Sequence, residues 1–107
     1  MADFCQLWLT CANKKEADKI GSTLLQKKLI ACYGQLSSYA GEFWWHGKVE
    51  QADEVFLGML SKLDLFDKIE AEVTKLHSYE TFVLEAVPVS RISKSDQEWL
   101  NRELKND

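Results

Sequence analysis

The run His77-Ser78-Tyr79-Glu80 holds the densest group of chemistry-bearing side chains in this sequence. An imidazole and a carboxylate three residues apart suit zinc, copper or nickel. They meet on one face if the segment is helical, although Tyr79 between them reads as already extended. A second account has His77 capping the C-terminus of the preceding helix, where a donor or cationic side chain is favoured. Glu80 is then a polar residue facing a subunit boundary. His77, Tyr79 and Glu80 are also types suited to acid–base work, but nothing in the sequence identifies a substrate. Cys32 is a third candidate, because a thiolate is a strong ligand for soft metals; a free cysteine in a strand is also a small buried hydrophobe. Cys5 and Cys11 sit on one strand face, roughly 20 Å apart at strand rise, so they share no single ion and read as core. His46 lies in a turn and reads as solvated. No H-E-x-x-H, nucleophile motif or phosphate-binding glycine loop accompanies these residues, which points to a protein that binds rather than catalyses.

Composition narrows the partners. The chain has 107 residues, 46% hydrophobic and 28% charged, enough for one domain around one core. Its net charge of -4 argues against a nucleic-acid surface, which needs a basic stripe. Lys14-Lys15 and Lys27-Lys28 have acids nearby and read as a solvated helix face. No apolar run reaches the roughly 18 residues of a membrane span, and Met1-Ala2-Asp3-Phe4 lacks the pattern of a signal peptide. An odd number of cysteines without a C-x-x-C pair fits a reducing compartment. The expected location is the cytoplasm.

The elements that must position these residues follow from periodicity. Phe4 to Cys11 alternates as a strand with two largely apolar faces, which predicts a central strand covered on both sides. Asn13 with Glu16 predicts a capped helix to about Lys28, with Ala17, Ile20, Gly21, Leu24 and Lys28 on one stripe. Leu29 to about Leu36 reads as a strand that bends at Ser37-Ser38 and resumes toward Trp45. His46-Gly47 supplies a tight turn, and Lys48 to Leu60 returns, with Gly58 marking a bulge. Ser61 and Asp64 have capping-box spacing before a second helix ending at Leu76, whose stripe is Leu65, Phe66, Ile69, Val73 and Leu76. Thr81 to Val89 reads as a last strand, ended by Pro88 at an edge. Ser95 and Glu98 open a short final helix through about Lys105, anchored by Trp99 and Leu100. Strand-helix-strand twice over, then a helix, predicts an α+β domain (a ferredoxin-like split βαβ sandwich) with a long β-hairpin.

The hairpin carries a second message. Trp44 and Trp45 are adjacent, and adjacent strand residues face opposite sides. Both faces therefore bear a large aromatic at a tip that a small sheet leaves wet, which predicts cover from a second chain. The paired strands also exceed the usual five to six or so residues, so their outer half projects. Trp8, Trp44, Trp45 and Trp99 read as core or interface anchors; an aromatic cage for a small cation finds no acidic cluster nearby in the sequence.

Several segments in order resemble the CutA family of divalent-cation tolerance proteins: Leu29-Ile30-Ala31-Cys32, Phe43-Trp44-Trp45-His46-Gly47-Lys48-Val49, His77-Ser78-Tyr79-Glu80, Ala86-Val87-Pro88-Val89 and Trp99-Leu100. They span nearly the whole chain. The resemblance implies a ferredoxin-like homotrimer, related in architecture to PII signalling proteins, whose hairpins extend neighbouring sheets. It also implies that Cys32 lies near the His-x-Tyr-Glu element, so that Cys32, His77 and Glu80 form a three-ligand set for copper or zinc. Tyr79 joins them in an inter-subunit cleft, with Trp44, Trp45 and Tyr79 at the interface. Four departures point to an altered ligand site: Ser78 for a usual Pro, Thr81-Phe82-Val83 for Val-Pro-Glu, Leu60-Ser61 for Lys-Thr, and Ile92-Ser93-Lys94 for Gly-Asn-Pro. Two other functions remain open: a trimeric scaffold for an unidentified protein partner, and a PII-like small-molecule sensor. The tight His46-Gly47 turn ranks the sensor last, since PII proteins carry a long loop there.

Overall fold

The computed structural model describes residues 3–36 and 38–105. Strand β1 (Phe4–Cys11) runs at the centre, antiparallel to β4 (Lys48–Lys62) on one side and to β5 (Leu84–Pro88) on the other. Strand β2 (Cys32–Gln35) pairs with the far edge of β4, giving the order β2-β4-β1-β5. Helices α1 (Lys14–Gln26) and α2 (Phe66–Leu76) form the two crossovers, which makes the split βαβ arrangement. Strand β3 (Tyr39–Trp45) pairs only with the outer half of β4. The hairpin therefore projects beyond the sheet, and the molecule measures 45 × 26 × 23 Å. Helix α3 (Lys94–Glu103) closes the domain. No helix among the described residues is long and apolar enough to cross a membrane.

The apolar stripes set the core. Cys5, Leu7, Leu9 and Cys11 of β1 meet Ala17, Ile20 and Leu24 of α1 and Ile69 and Val73 of α2 in one buried cluster. Leu100 and Leu104 pin α3 to it, and the Lys105 N–H donates to the Lys28 carbonyl. Gly21 is needed at its place, because a Cβ there would stand 2.6 Å from the Tyr33 ring.

Several boundaries move, each for a local reason. β1 is central, but only its Cys5–Cys11 face is buried by helices; Gln6 is exposed and Trp8 half-buried on the other. Lys28 leaves the helical stripe: it sits at φ 59, in the left-handed region, and is exposed. The strand expected from Leu29 starts at Cys32, since Leu29 and Ile30 are buried in the turn that follows α1. Gly58 marks no bulge. The β1–β4 register is unbroken through Trp8–Gly58, and the glycine makes room for the Trp8 ring, which would lie 3.2 Å from a Cβ. Ser61 caps nothing; it is the buried end of β4 and its hydroxyl donates to the Leu29 carbonyl at 2.6 Å. α2 instead follows a 3₁₀ turn at Leu63–Leu65. The last helix is capped by Ser93, whose oxygen accepts from the Asp96 N–H, and not by Ser95. The last strand is shorter than Thr81–Val89 and begins at Leu84. Of the expected bend at Ser37-Ser38, Ser37 lies outside the described residues.

The hairpin turn holds as expected. Trp45 pairs with Lys48 across His46 and Gly47, which have φ of 51 and 78. Two successive positive φ values are the two-residue turn that suits strand twist. Trp44 is 75% exposed and Phe43 41% exposed, so in a single chain the aromatic tip is uncovered.

Candidate functional site

Asn13 accepts the Glu16 N–H at 2.8 Å and starts α1. Glu16 then turns back, and its Oε1 accepts the Ala12 N–H at 3.1 Å. This puts a carboxylate over the C-terminal end of β1. α2 delivers His77 to the same place: the His77 N–H donates to the Val73 carbonyl, the backbone turns extended, and the ring enters the interior. The imidazole side chain is fully buried. Its Nε2 lies 2.7 Å from the Thr10 carbonyl, and its Nδ1 lies 3.0 Å from the Tyr79 N–H. A carbonyl only accepts and an amide N–H only donates, so the network assigns the proton to Nε2. Phe82 stacks on the ring with centroids 5.2 Å apart.

Glu16 completes the cluster. Its Oε2 accepts the Ser78 N–H at 3.1 Å, and its Oε1 stands 3.4 Å from His77 Nδ1. Burial acts to raise its pKa, but hydrogen bonds from Ser78 and Ala12 outweigh it and hold the carboxyl below its ordinary 4.5. Cys11 joins from β1, and its Sγ with the Glu16 and His77 donor atoms all lie within 4.8 Å of one another. Burial, with the Glu16 and Glu54 charges, pushes the Cys11 thiol up to about 12.

Sulfur, oxygen and nitrogen at this spacing are the right types for zinc or copper, yet the residues as arranged do not fit an ion. Both imidazole nitrogens are engaged, Glu16 is taken up by two backbone N–H groups, and Cys11 is a buried thiol. The cluster is a lock joining β1, α1 and the segment after α2. Because folded Glu16 holds its proton less tightly than the unfolded chain, its stabilisation is complete above about pH 4.5 and is lost as pH falls through the lowered folded value. Acid titration of stability should therefore show a shallower acid limb in Glu16→Gln than in the unaltered chain; identical limbs would remove Glu16 from the lock.

A second cluster faces the hairpin. The Tyr39 hydroxyl donates to Glu54 Oε1 at 3.1 Å, and the Tyr79 hydroxyl lies close enough to feel the same carboxylate's charge. Burial and the Glu54 carboxylate push Tyr79 up to about 12 and Tyr39 above its ordinary value. Tyr39 also stacks on Phe56 at 5.0 Å. These groups open into a cavity of about 760 Å³ between the hairpin and residues 78–83.

The expected ligand set is not assembled within one chain. Cys32 pairs with Leu60, which lies level with Gln6 of β1. His77 is held at Thr10, four residues further along. With two strand spacings across, Cys32 is roughly 16 Å from His77. Its neighbours there are the Leu60 backbone and the charge of Asp96, and burial first, then Asp96, raises its thiol pKa. Glu80 is exposed and lines the hairpin cavity; Tyr79 is half-buried beside Glu54. His77 ends α2, as the capping account has it, but its ring bonds to β1 and not to the helix carbonyls. Glu16, Thr10, Tyr39 and Glu54 went unseen as site residues. Glu16 had one visible signal, its spacing from Asn13, which explains its helix start and not its reach to Ser78. Glu54 and Tyr39 had none, since their meeting depends on hairpin register.

A ferredoxin-like α+β domain with a projecting aromatic hairpin defines the class. Within it, the family model of the CutA1 divalent ion tolerance protein matches residues 5–103. The chain belongs to this family. The divalent-cation tolerance protein CutA of Archaeoglobus fulgidus is 33% identical over 95 residues, 89% of this chain and 92% of its own length. That of Pyrococcus horikoshii is 28% identical over 99 residues, 92% of this chain and 96% of its own. The solved periplasmic divalent cation tolerance protein CutA from Archaeoglobus fulgidus matches with a TM-score of 0.91 at 30% identity, covering 95% of this chain and 99% of that one. CutA1 from Oryza sativa shares the fold with a TM-score of 0.93 at 23% identity, over 98% of this chain and 96% of its own.

Proposed function

We propose that this chain is a non-enzymatic, cytoplasmic homotrimer that binds a divalent cation of the copper or zinc type and supports tolerance to it. Family membership over residues 5–103 carries the reading. Two features of the chain support assembly: Trp44 stands 75% exposed at the hairpin tip, and among the described residues β3 pairs with β4 alone, along one edge. An unpaired strand edge is a template for another chain. Within one chain Cys32 is remote from the His77–Glu80 segment, so only a neighbouring subunit brings a Cys32 to it. The cation site is then an inter-subunit cleft, with Cys32 and Glu80 as the donors not committed to the His77 lock.

The test pairs light scattering on metal-free protein with calorimetric titration of copper and of zinc. A metal-independent trimer that binds one equivalent per chain, with binding lost in Cys32→Ala and in Glu80→Gln, is the expected result. A trimer that binds neither ion favours the second reading, a scaffold for a protein partner. The spent nitrogens of His77 are the specific observation behind that alternative.

A further inference from the structure

Residues 77–83 form neither helix nor strand, and two side chains tie them down. Ser78 gives its N–H to Glu16 Oε2, Tyr79 gives its N–H to His77 Nδ1, and the Phe82 ring stacks on the imidazole. Beyond them the Val83 carbonyl accepts the Thr10 N–H at 3.2 Å, and β5 begins. Bonds to Glu16 and His77 thus stand in for the backbone pairing that regular structure would supply. The two ring nitrogens are not equally committed. Nε2 donates to the Thr10 carbonyl at 2.7 Å and has no other role there. Nδ1 has two partners in reach, the Tyr79 N–H at 3.0 Å and Glu16 Oε1 at 3.4 Å. In the neutral ring Nδ1 is an acceptor and holds Tyr79; in the charged ring both nitrogens are donors. A proton on Nδ1 therefore faces the Tyr79 N–H donor to donor, and Glu16 is the acceptor ready to take it. The ring stays on Thr10 and the Tyr79 amide loses its partner.

The groups around the ring keep their charges while a histidine changes its own, which ordinarily happens between about pH 5 and 8. Glu16, from α1, is held below its ordinary value by its hydrogen bonds and is ionised throughout that range. Cys11, from β1, is pushed up to about 12 and stays a neutral thiol. Tyr79, in the segment itself, is likewise pushed up to about 12 and stays a neutral phenol. Glu54 of β4 faces the same end of the sheet, its charge acting on both Cys11 and Tyr79. The Glu16 side chain is 11% exposed, so one carboxylate separates Nδ1 from water. We propose that His77 is a proton-operated latch on the segment after α2. Neutral, it holds the Tyr79 amide; protonated, it turns Nδ1–H to Glu16 and releases Tyr79 with Glu80 beside it. The latch is built within one chain, and only the placing of Tyr79 and Glu80 at a subunit boundary rests on the reading above.

The test follows metal-free protein by heteronuclear NMR from about pH 8 to about pH 5. It reads the His77 ring nitrogens and the hydrogen-exchange protection of the Tyr79 amide, corrected for the pH dependence of exchange itself. Nδ1 is expected to gain a proton, and Tyr79 protection to fall about tenfold at the same midpoint as its hydrogen bond is lost. The Leu7 amide in central β1 keeps its protection. In His77→Asn, whose side chain accepts the Tyr79 N–H without titrating, Tyr79 protection stays flat across the range. Glu16→Gln keeps the ring, removes the charge beside Nδ1 and moves the midpoint down by about one pH unit. An imidazole that stays neutral throughout overturns the latch, and so does one that titrates while Tyr79 keeps its protection. An equal fall in His77→Asn, or a parallel fall at Leu7, reduces the effect to general loosening in acid and overturns it too. Light scattering on the same samples reads the assembly separately: a monomer whose Tyr79 amide follows the imidazole upholds the latch and overturns the trimer.

Discussion

His77→Ala is expected to lower the unfolding free energy by about 3 kcal/mol, read as a reduced urea midpoint at unchanged slope. The imidazole side chain is fully buried and joins three elements. Its removal leaves the Thr10 carbonyl and the Tyr79 N–H without partners and opens a space under Phe82. An orphaned buried polar group costs about 1–3 kcal/mol, and an unfilled cavity adds to it. His77→Asn keeps an acceptor near the Nδ1 position and should recover part of the loss by holding the Tyr79 N–H. A ring that served only to hold a metal ion would behave otherwise: metal-free His77→Ala would be as stable as the unaltered chain. That result would sink the lock and return His77 to the ligand set.

Trp44→Glu is expected to convert the assembly to monomers while leaving the fold of each chain intact. At 75% exposure the ring gives little to the single chain, so the stability of the monomer should change by less than about 0.5 kcal/mol. Across an interface a buried tryptophan is a hot spot of about 2 kcal/mol or more, and a trimer repeats the loss at every contact. Light scattering reads the mass, and circular dichroism reads the fold. An unaltered chain that is already monomeric would end the assembly reading and leave the two-faced aromatic hairpin without a role.

Fold and site differ in how far the sequence reveals them. The period-2 pattern of Cys5, Leu7, Leu9 and Cys11 and the helical spacing of Ala17, Ile20 and Leu24 are local, and all seven residues are buried. The His46-Gly47 turn is equally local, since two positive φ values are a property of the two residues themselves. Capping boxes are less decisive, because several serines compete for each start. Ser93 takes the role expected of Ser95, and Ser61 is drawn into β4 by a bond to the Leu29 carbonyl. Both faces of β1 read as apolar, but an open face that carries Trp8 looks the same in sequence as one covered by helices.

By itself the sequence determined the order of elements, the buried stripes, the projecting hairpin and the likeness to a cation-tolerance family. These follow from spacings within a dozen residues and from motifs read in order. The tertiary structure alone decided what His77 does, because its partners Thr10 and Glu16 are more than sixty residues away in the chain. It decided equally that Cys32 stands apart, since a shift of four residues in strand register moves a side chain roughly 13 Å. Tyr39, Glu54 and Tyr79 meet for the same reason. Hydrogen-bond register and chain crossover bring these donor atoms together, and no local pattern encodes either.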